Sequence, residues 1–305
     1  MYIGTMNKFG QIAIITRTKD RSLFLSRAIG SVLSQTYSDW LHVIINDGGD
    51  RGSVNELVEQ NRVAYQGRVL CLHNEHSKGM EAASNVGIHG SSSKYIVLLD
   101  DDDTWDSTFL HECVARLEKK RHPSIKGVIA HSDKIIEEVR GKSIVPIRRE
   151  PFNSYLTSVS LNEICGGNIF TVNAFVYERS VYDQVGFYRE DLPVLGDWEF
   201  NIRFVSRYDI DVVPHTLAFF HNRTAMHTDS FGNTVVEGKN DHLFFTTFIQ
   251  NEYLRKDLEF NRIGIGVMMS LNAGFKGTHI HLHNMERQHI LFRVLKAARR
   301  KLILS

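Results

Sequence analysis

Four consecutive aspartates, Asp100 to Asp103, follow the apolar run Tyr95-Ile96-Val97-Leu98-Leu99 and precede Thr104-Trp105. A run of Ile, Val and Leu that stops in carboxylates delivers them to the carboxyl edge of a parallel sheet, where open α/β folds bind their ligands. Adjacent negative charges repel one another and tolerate burial poorly unless positive charge joins them. Hard carboxylate oxygens suit Mg2+ or Mn2+, and a cation held by few protein ligands keeps positions for phosphate. The same block also reads as a solvated acidic turn capping a helix that starts near Asp106. A calcium loop of EF-hand type is disfavoured. Counted from Asp100, the sixth residue is Trp105 where Gly is needed, and the twelfth is His111 where Glu is needed.

Two further carboxylates stand at element ends. Asp47 lies in the Gly-rich turn Asn46-Asp47-Gly48-Gly49-Asp50, and Asp197 lies in Gly196-Asp197-Trp198-Glu199 at the start of a helical stretch. Asp47 beside two glycines suits a turn former. Asp197 at a helix start reads as an N-cap that the positive dipole end keeps ionised.

The elements that must position these groups alternate along the chain. Strands are expected at Gln11 to Thr16, Leu41 to Asn46, Arg68 to His73 and Tyr95 to Leu99. Helices are expected at Ser22 to Gln35, with Leu23, Leu25, Ile29, Val32 and Leu33 inward, and at Ser53 to Tyr65, where Ser53 and Glu56 form a capping box. Met80 to His89 and Asp106 to Lys120 complete the helices of this half. Such alternation predicts a parallel sheet covered on both faces. Beyond it the pattern weakens. Gly127 to His131 reads as a short strand, residues 140 to 168 show no period, Phe170 to Glu178 reads as a strand, and Arg179 to Val185 and Trp198 to Ser206 as helices. His221 to Gly232 reads as a loop, followed by helical character at Asn240 to Arg255 and Glu286 to Leu304.

At 305 residues the chain suits one large α/β domain with an appendage, or two modest domains. With 36 Lys and Arg against 35 Asp and Glu, its formal charge is +1, and no global field points to nucleic acid. Cys71, Cys113 and Cys165 are odd in number and make no CxxC pair, against a disulfide framework or a zinc site. The first apolar run, Ile12 to Ile15, is too short for a secretory leader, and no later run is long enough for a membrane span. A cytoplasmic protein is expected.

Several motifs, in order, resemble the inverting glycosyltransferases of family 2, which have the GT-A fold. Ile14 to Arg21 sits at that family's strand-to-loop opening, and Arg27 to Trp40 is close to its "SVLxQTYxxW" helix ending. Asn46 to Asp50 matches its "DDGS" turn, Asn85-Val86-Gly87-Ile88 its "RNxGI" helix, and Leu99 to Asp103 its DxD strand end. Gly186-Phe187 followed by Gly196-Asp197-Trp198-Glu199 resembles its "G-F … E-D-W" acceptor segment. The resemblance implies a GT-A domain over 1–235, with a nucleotide-binding half 11–105 and an acceptor half 106–235, and a mainly helical extension over 236–305.

The resemblance also implies a reaction: metal-dependent, inverting transfer of a sugar from a nucleotide-diphosphate sugar to a hydroxyl of a glycan or lipid-linked acceptor, as in polysaccharide biosynthesis for the cell surface. Asp197 is then the general base. Thr16, Arg17, Asp47, Lys78, Asp100 and Asp101 contact the nucleotide sugar, with Asp47 on the base. Asp102 and Asp100 hold Mn2+ or Mg2+, with His227 as third ligand and His221 as the alternative. Asp103 supports the pair, and Asp101, outside it, also suits a solvent-facing position. Two departures from the family stand out: Arg17 in an opening where Pro and Tyr are common, and Gly196 where Glu often precedes the base. Glu199 is a secondary choice of base.

A nucleotidyltransferase making nucleotide sugars would need a Gly-rich basic loop after its first strand, and Thr16 to Arg21 supplies bases without glycine. A non-catalytic nucleotide- or sugar-binding module would lack an organised base. The alternating His279, His281 and His283 have no carboxylate or Cys spacing to support a metal. In Glu286 to Leu304, apolar Leu291, Leu295, Ala298 and Leu302 recur at helical spacing beside Arg293, Lys296 and Arg300. That pattern fits a peripheral helix on an anionic bilayer at the inner membrane face, and equally packing on the body or on a second subunit of a homo-oligomer.

Overall fold

The computed structural model describes residues 10–141, 143–223 and 239–275. Four parallel strands build one half of a mixed nine-stranded sheet: β1 (Ile12–Thr18), β2 (Trp40–Asp47), β3 (Val69–Asn74) and β4 (Tyr95–Leu98), in the order β3-β2-β1-β4. β1 and β2 are almost wholly buried, as their unbroken apolar runs require of strands covered on both faces. Helices α1 (Ser22–Leu33), α2 (Arg51–Gln60), α3 (Arg62–Tyr65) and α4 (Met80–His89) make the connections.

Beyond β4 the sheet continues with the two-residue β5 (Thr104–Trp105), β6 (Ile125–Arg140), β7 (Ser143–Pro151), β8 (Phe175–Glu178) and β9 (Asp209–Arg223). The spatial order runs on as β4-β8-β6-β9-β5, with β7 paired to β6. β8 is antiparallel to both β4 and β6, and β9 runs parallel to β6. Helices α5 (Phe109–Glu118), α6 (Leu161–Gly166), α7 (Tyr182–Val185) and α8 (Gly196–Val205) pack around this half, and α9 (Lys239–Glu259) follows. The chain separates into compact units at Met1–Thr246 and Thr247–Ser305. The expected division at 235/236 lies outside the described residues, as do His227, the alternating histidines and the whole of 286–304. Among the described residues no helix is long and apolar enough to cross a membrane.

Several local expectations are corrected. α2 is capped by Asp50, whose carboxylate accepts from the backbone N–H of Gly52 and Ser53, so Ser53 is inside the helix and no capping box with Glu56 forms. α1 buries Phe24, Leu25, Ala28, Ile29 and Val32, a face rotated from the expected one, while Leu23 and Leu33 are half-buried. The short strand expected at Gly127 to His131 is the centre of a sixteen-residue β6, and the unpatterned 140–168 contains β7 and α6. His221 belongs to β9 rather than to a loop. The helix after the acidic block starts at Phe109, later than Asp106.

Candidate active site

β1 and β4 are neighbours in register, Ile15 opposite Leu98, so the residues just beyond each strand meet at one sheet edge. There three of the four aspartates, Asp100, Asp101 and Asp102, are drawn into ion pairs with arginines. Arg17 places Nε and Nη2 at 3.1 and 2.9 Å from Asp100 Oδ1. Arg21, which precedes α1, reaches Asp101 Oδ1 at 2.9 Å and Asp102 Oδ2 at 2.7 Å. Arg223, at the end of β9 and 1% exposed, reaches the same Asp102 Oδ2 at 2.6 Å. Arg27 donates to the Asp102 carbonyl and pairs with Glu137 on β6 at 2.7 Å. The guanidiniums of Arg21, Arg27 and Arg223 also surround the Phe24 ring, 4.9, 5.8 and 4.5 Å from its centroid, so their like charges share an aromatic floor.

This arrangement divides the aspartates. Burial works against ionising Asp102, but Arg21 and Arg223 outweigh it and hold the carboxyl down at about 2. Asp101 is buried rather than solvent-facing, with Thr18 Oγ1 donating to it at 2.7 Å, and burial pushes its carboxyl up despite Arg21. Burial and the charges of Asp102 and Asp100 push Asp103 up as well, and Asp103 accepts from the His221 backbone N–H at 3.0 Å. Asp100 is the most open of the four, with its side chain 31% exposed. A solvated acidic turn is therefore not what the block forms.

A divalent cation fits a specific remainder of this block. Arg17 occupies Asp100 Oδ1, and Arg21 and Arg223 occupy Asp102 Oδ2, while Asp100 Oδ2 and Asp102 Oδ1 have no hydrogen-bond or ion-pair partner among the described residues. Among those residues no group of three or more ligating side chains is arranged for a metal. Two carboxylate oxygens completed by phosphate and water is how Mg2+-type ions are commonly bound. His221 is removed from the ligand set, since its Nδ1 is 2.7 Å from Glu137 and its Nε2 2.9 Å from the Thr104 hydroxyl.

The other expected residues fall into three groups. Asp47 accepts from Asn74 Nδ2 at 2.7 Å, Ser77 Oγ at 2.8 Å, Lys78 N at 2.9 Å and Gly79 N at 3.1 Å. Burial opposes its ionisation and these donors outweigh it, lowering its carboxyl below the ordinary value. Its lone pairs thus fix the 77–79 loop instead of standing free for a nucleotide base, and Lys78 takes part through its backbone while its side chain is exposed. Gly48, at φ +78°, lets the turn touch that loop, since a Cβ there would come within 2.7 Å of the His76 carbonyl carbon. Thr16 is fully buried with its hydroxyl on His42 Nε2 at 2.9 Å, so its side chain lines no open pocket.

Asp197 occupies the first turn of α8 rather than its cap. The cap is Leu195, held at φ +65°, a strained conformation for a leucine, which turns the chain sharply into Gly196 and Asp197. Asn168 donates to Asp197 Oδ2 at 2.7 Å. Burial raises the carboxyl above its ordinary value, outweighing the Trp198 N–H and Arg17, so the dipole does not dominate as expected. Glu199 is buried against Arg203 at 2.8 Å, which leaves it poorly placed as a base. Arg17 joins the two ends of the site: burial works against its charge, and the carboxylates of Asp100, Glu81 and Asp197 together outweigh it. Asn85 ties the halves further, donating to the Tyr188 carbonyl at 2.9 Å and accepting from the Tyr188 N–H at 3.1 Å.

A mixed sheet with a parallel nucleotide-type half, flanked by helices, is the GT-A arrangement. Solved structures share it: S. aureus TarS residues 1–349 in complex with UDP-GlcNAc aligns at TM-score 0.54 and 16% identity over 71% of this chain and 60% of that one. The mannosyltransferase PcManGT from Pyrobaculum calidifontis, in complex with GDP-Man and Mn2+, aligns at 0.53 and 13% over 69% and 56%. The sequence matches glycosyl transferase family 2 over residues 13–186, and the chain belongs to that family. Among curated relatives, the Escherichia coli UDP-Glc:alpha-D-GlcNAc-diphosphoundecaprenol beta-1,3-glucosyltransferase WfgD is 26% identical over 61% of this chain and 70% of its own. An uncharacterized glycosyltransferase of Haemophilus influenzae is 23% identical over 62% of this chain, which spans 58% of that relative's length.

Arg21, Arg27, Arg223, Glu137 and Glu81 were not among the residues expected from sequence. Arg27 falls inside a quoted motif and Arg21 closes another, so part of the signal was present.

Proposed function

We propose that this glycosyltransferase transfers a sugar, with inversion, from a nucleoside-diphosphate sugar to a hydroxyl of a glycan or lipid-linked acceptor, with Asp197 as general base. The observation that carries the reading is Arg17. Its guanidinium is bonded to Asp100 at the acidic strand end and lies within electrostatic reach of Asp197. A donor diphosphate at the acidic edge and an attacking hydroxyl at Asp197 then face each other across one short space. Direct displacement needs only these two groups, a carboxylate that takes the acceptor's proton and an edge that receives the leaving diphosphate. Asp197's raised basicity suits it to the first task, and Leu195 and Asn168 fix its direction.

Asp100 and Asp102, as a DxD pair, would hold Mn2+ or Mg2+, whose chemistry is to neutralise charge growing on the departing diphosphate. Arg17 and Arg21 supply further positive charge at the same edge. The acceptor class follows WfgD, whose name gives an undecaprenol diphosphate-linked sugar as its acceptor.

The test is a screen of UDP-glucose, UDP-N-acetylglucosamine and GDP-mannose for donor hydrolysis with Mn2+, with Mg2+ and after chelation. Hydrolysis that the metal supports and a chelator abolishes is expected. Because four guanidiniums already surround the acidic block, a metal-independent enzyme is the second reading, and activity that survives chelation would select it.

A further inference from the structure

Glu81 lies in the first turn of α4, where an acid gains modestly from the helix dipole at the surface. This one is not at the surface. It is 4% exposed, and its Oε2 is buried with no hydrogen-bond partner, 3.8 Å from Arg17 Nη1. A buried carboxyl oxygen without a partner is costly, and native proteins rarely keep one unless something else satisfies it. The chain has also made room for it. Gly196 stands directly against Glu81, and a Cβ there would come within 2.6 Å of Glu81 Oε1. The side chain therefore fills the position that any residue other than glycine would claim immediately before Asp197.

We propose that Glu81 is a ligand for a hydroxyl of the sugar being transferred from the donor. The inference rests on the proposed function, since it places the sugar between the diphosphate edge at Asp100 and the base Asp197, and Glu81 lies against Gly196 beside that base, within electrostatic reach of both carboxylates. Its neighbours favour a hydroxyl over a cation. Burial, together with the charges of Asp197, Asp100 and Glu199, pushes its carboxyl up to about 7 against the pull of Arg17. A carboxyl that carries its proton near neutral pH both donates and accepts, which matches a sugar hydroxyl.

The test compares binding of a nucleotide sugar with binding of the bare nucleotide by titration calorimetry, using whichever of UDP-glucose, UDP-N-acetylglucosamine and GDP-mannose the wild type binds, against UDP or GDP. Glu81→Ala should weaken the nucleotide sugar about tenfold while leaving the bare nucleotide within about twofold, the loss of one strong hydrogen bond confined to the sugar. Glu81→Gln keeps a donor and an acceptor and should recover most of the affinity. Gly196→Ala leaves Glu81 in the chain but displaces its carboxyl, so it should mimic Glu81→Ala and serves if that variant folds poorly. An unchanged ratio of sugar to nucleotide affinity in these variants, or a parallel loss of both, overturns the assignment of Glu81 alone. Failure of the wild type to bind any of the three nucleotide sugars overturns the proposed function along with it.

Discussion

Replacing Asp47 by Asn tests whether this residue fixes the 77–79 loop, as its geometry indicates. The carboxylate accepts from four residues: Oδ1 takes Asn74 and Lys78, while Oδ2 takes Ser77 and Gly79 and shares Lys78. An asparagine keeps one acceptor oxygen and turns an amide toward the donors that had used the other, so about two charge-assisted bonds are lost. Each is worth about 1.5–3 kcal/mol when unexposed. Ser77 and Gly79 are exposed and regain water, which reduces the expected loss to about 2 kcal/mol at neutral pH. For a unit of this size that lowers the melting temperature by about 4–8 °C. The pH dependence has a definite sign. The folded-state pKa of Asp47 is lowered, so its contribution is complete above the unfolded value of about 4 and is lost as pH falls through the folded one. Melting followed by circular dichroism should therefore show a wild-type advantage that is constant at neutral pH and shrinks in strong acid. An unchanged melting temperature at pH 7, or an advantage that grows on acidification, would refute the argument.

Three further outcomes follow from the same geometry. Gly48→Ala puts a methyl group against the His76 backbone at a positive φ, and should cost at least about 1 kcal/mol in urea unfolding and weaken nucleotide binding. Arg223→Met leaves Asp102 and Glu137 with one cation fewer in a buried place, and because Arg21 and Arg27 remain, a loss near the lower end of about 3–5 kcal/mol is expected in the same assay. The acid limb of the pH–rate profile should lie above the ordinary aspartate value of about 4, because burial raises Asp197 and a base must be ionised to act.

The nucleotide half was legible because β1, β2 and β4 are buried on both faces and say so in unbroken apolar runs, as in Ile12 to Ile15 and Val43 to Ile45. β6 was not. Past Ala130 it carries His131, Ser132, Asp133 and Glu137, polar residues that read as a strand's end, yet all four are buried. β9 alongside them and the cations Arg27 and Arg223 make that burial tolerable. The acidic block was visible as charge, but its counter-ions were not, since Arg223 meets Asp102 across 121 positions and no local pattern encodes that pairing. Asp101 was misplaced for the same reason: without Arg21 and Thr18, solvent is the natural place for it. Glu81 has no local signal beyond a place in the first turn of α4, and only Gly196, far along the chain, reveals that its carboxyl is built into the site.

The central claim is that Asp197 takes the proton from the acceptor hydroxyl opposite the acidic edge. Asp197→Asn keeps the shape and removes the base. Single-turnover transfer by the folded variant, with the donor found in the nucleotide-sugar screen, should fall by about 10²–10⁴-fold while donor affinity stays near that of the wild type. Transfer at the wild-type rate by a variant with wild-type melting would contradict the account.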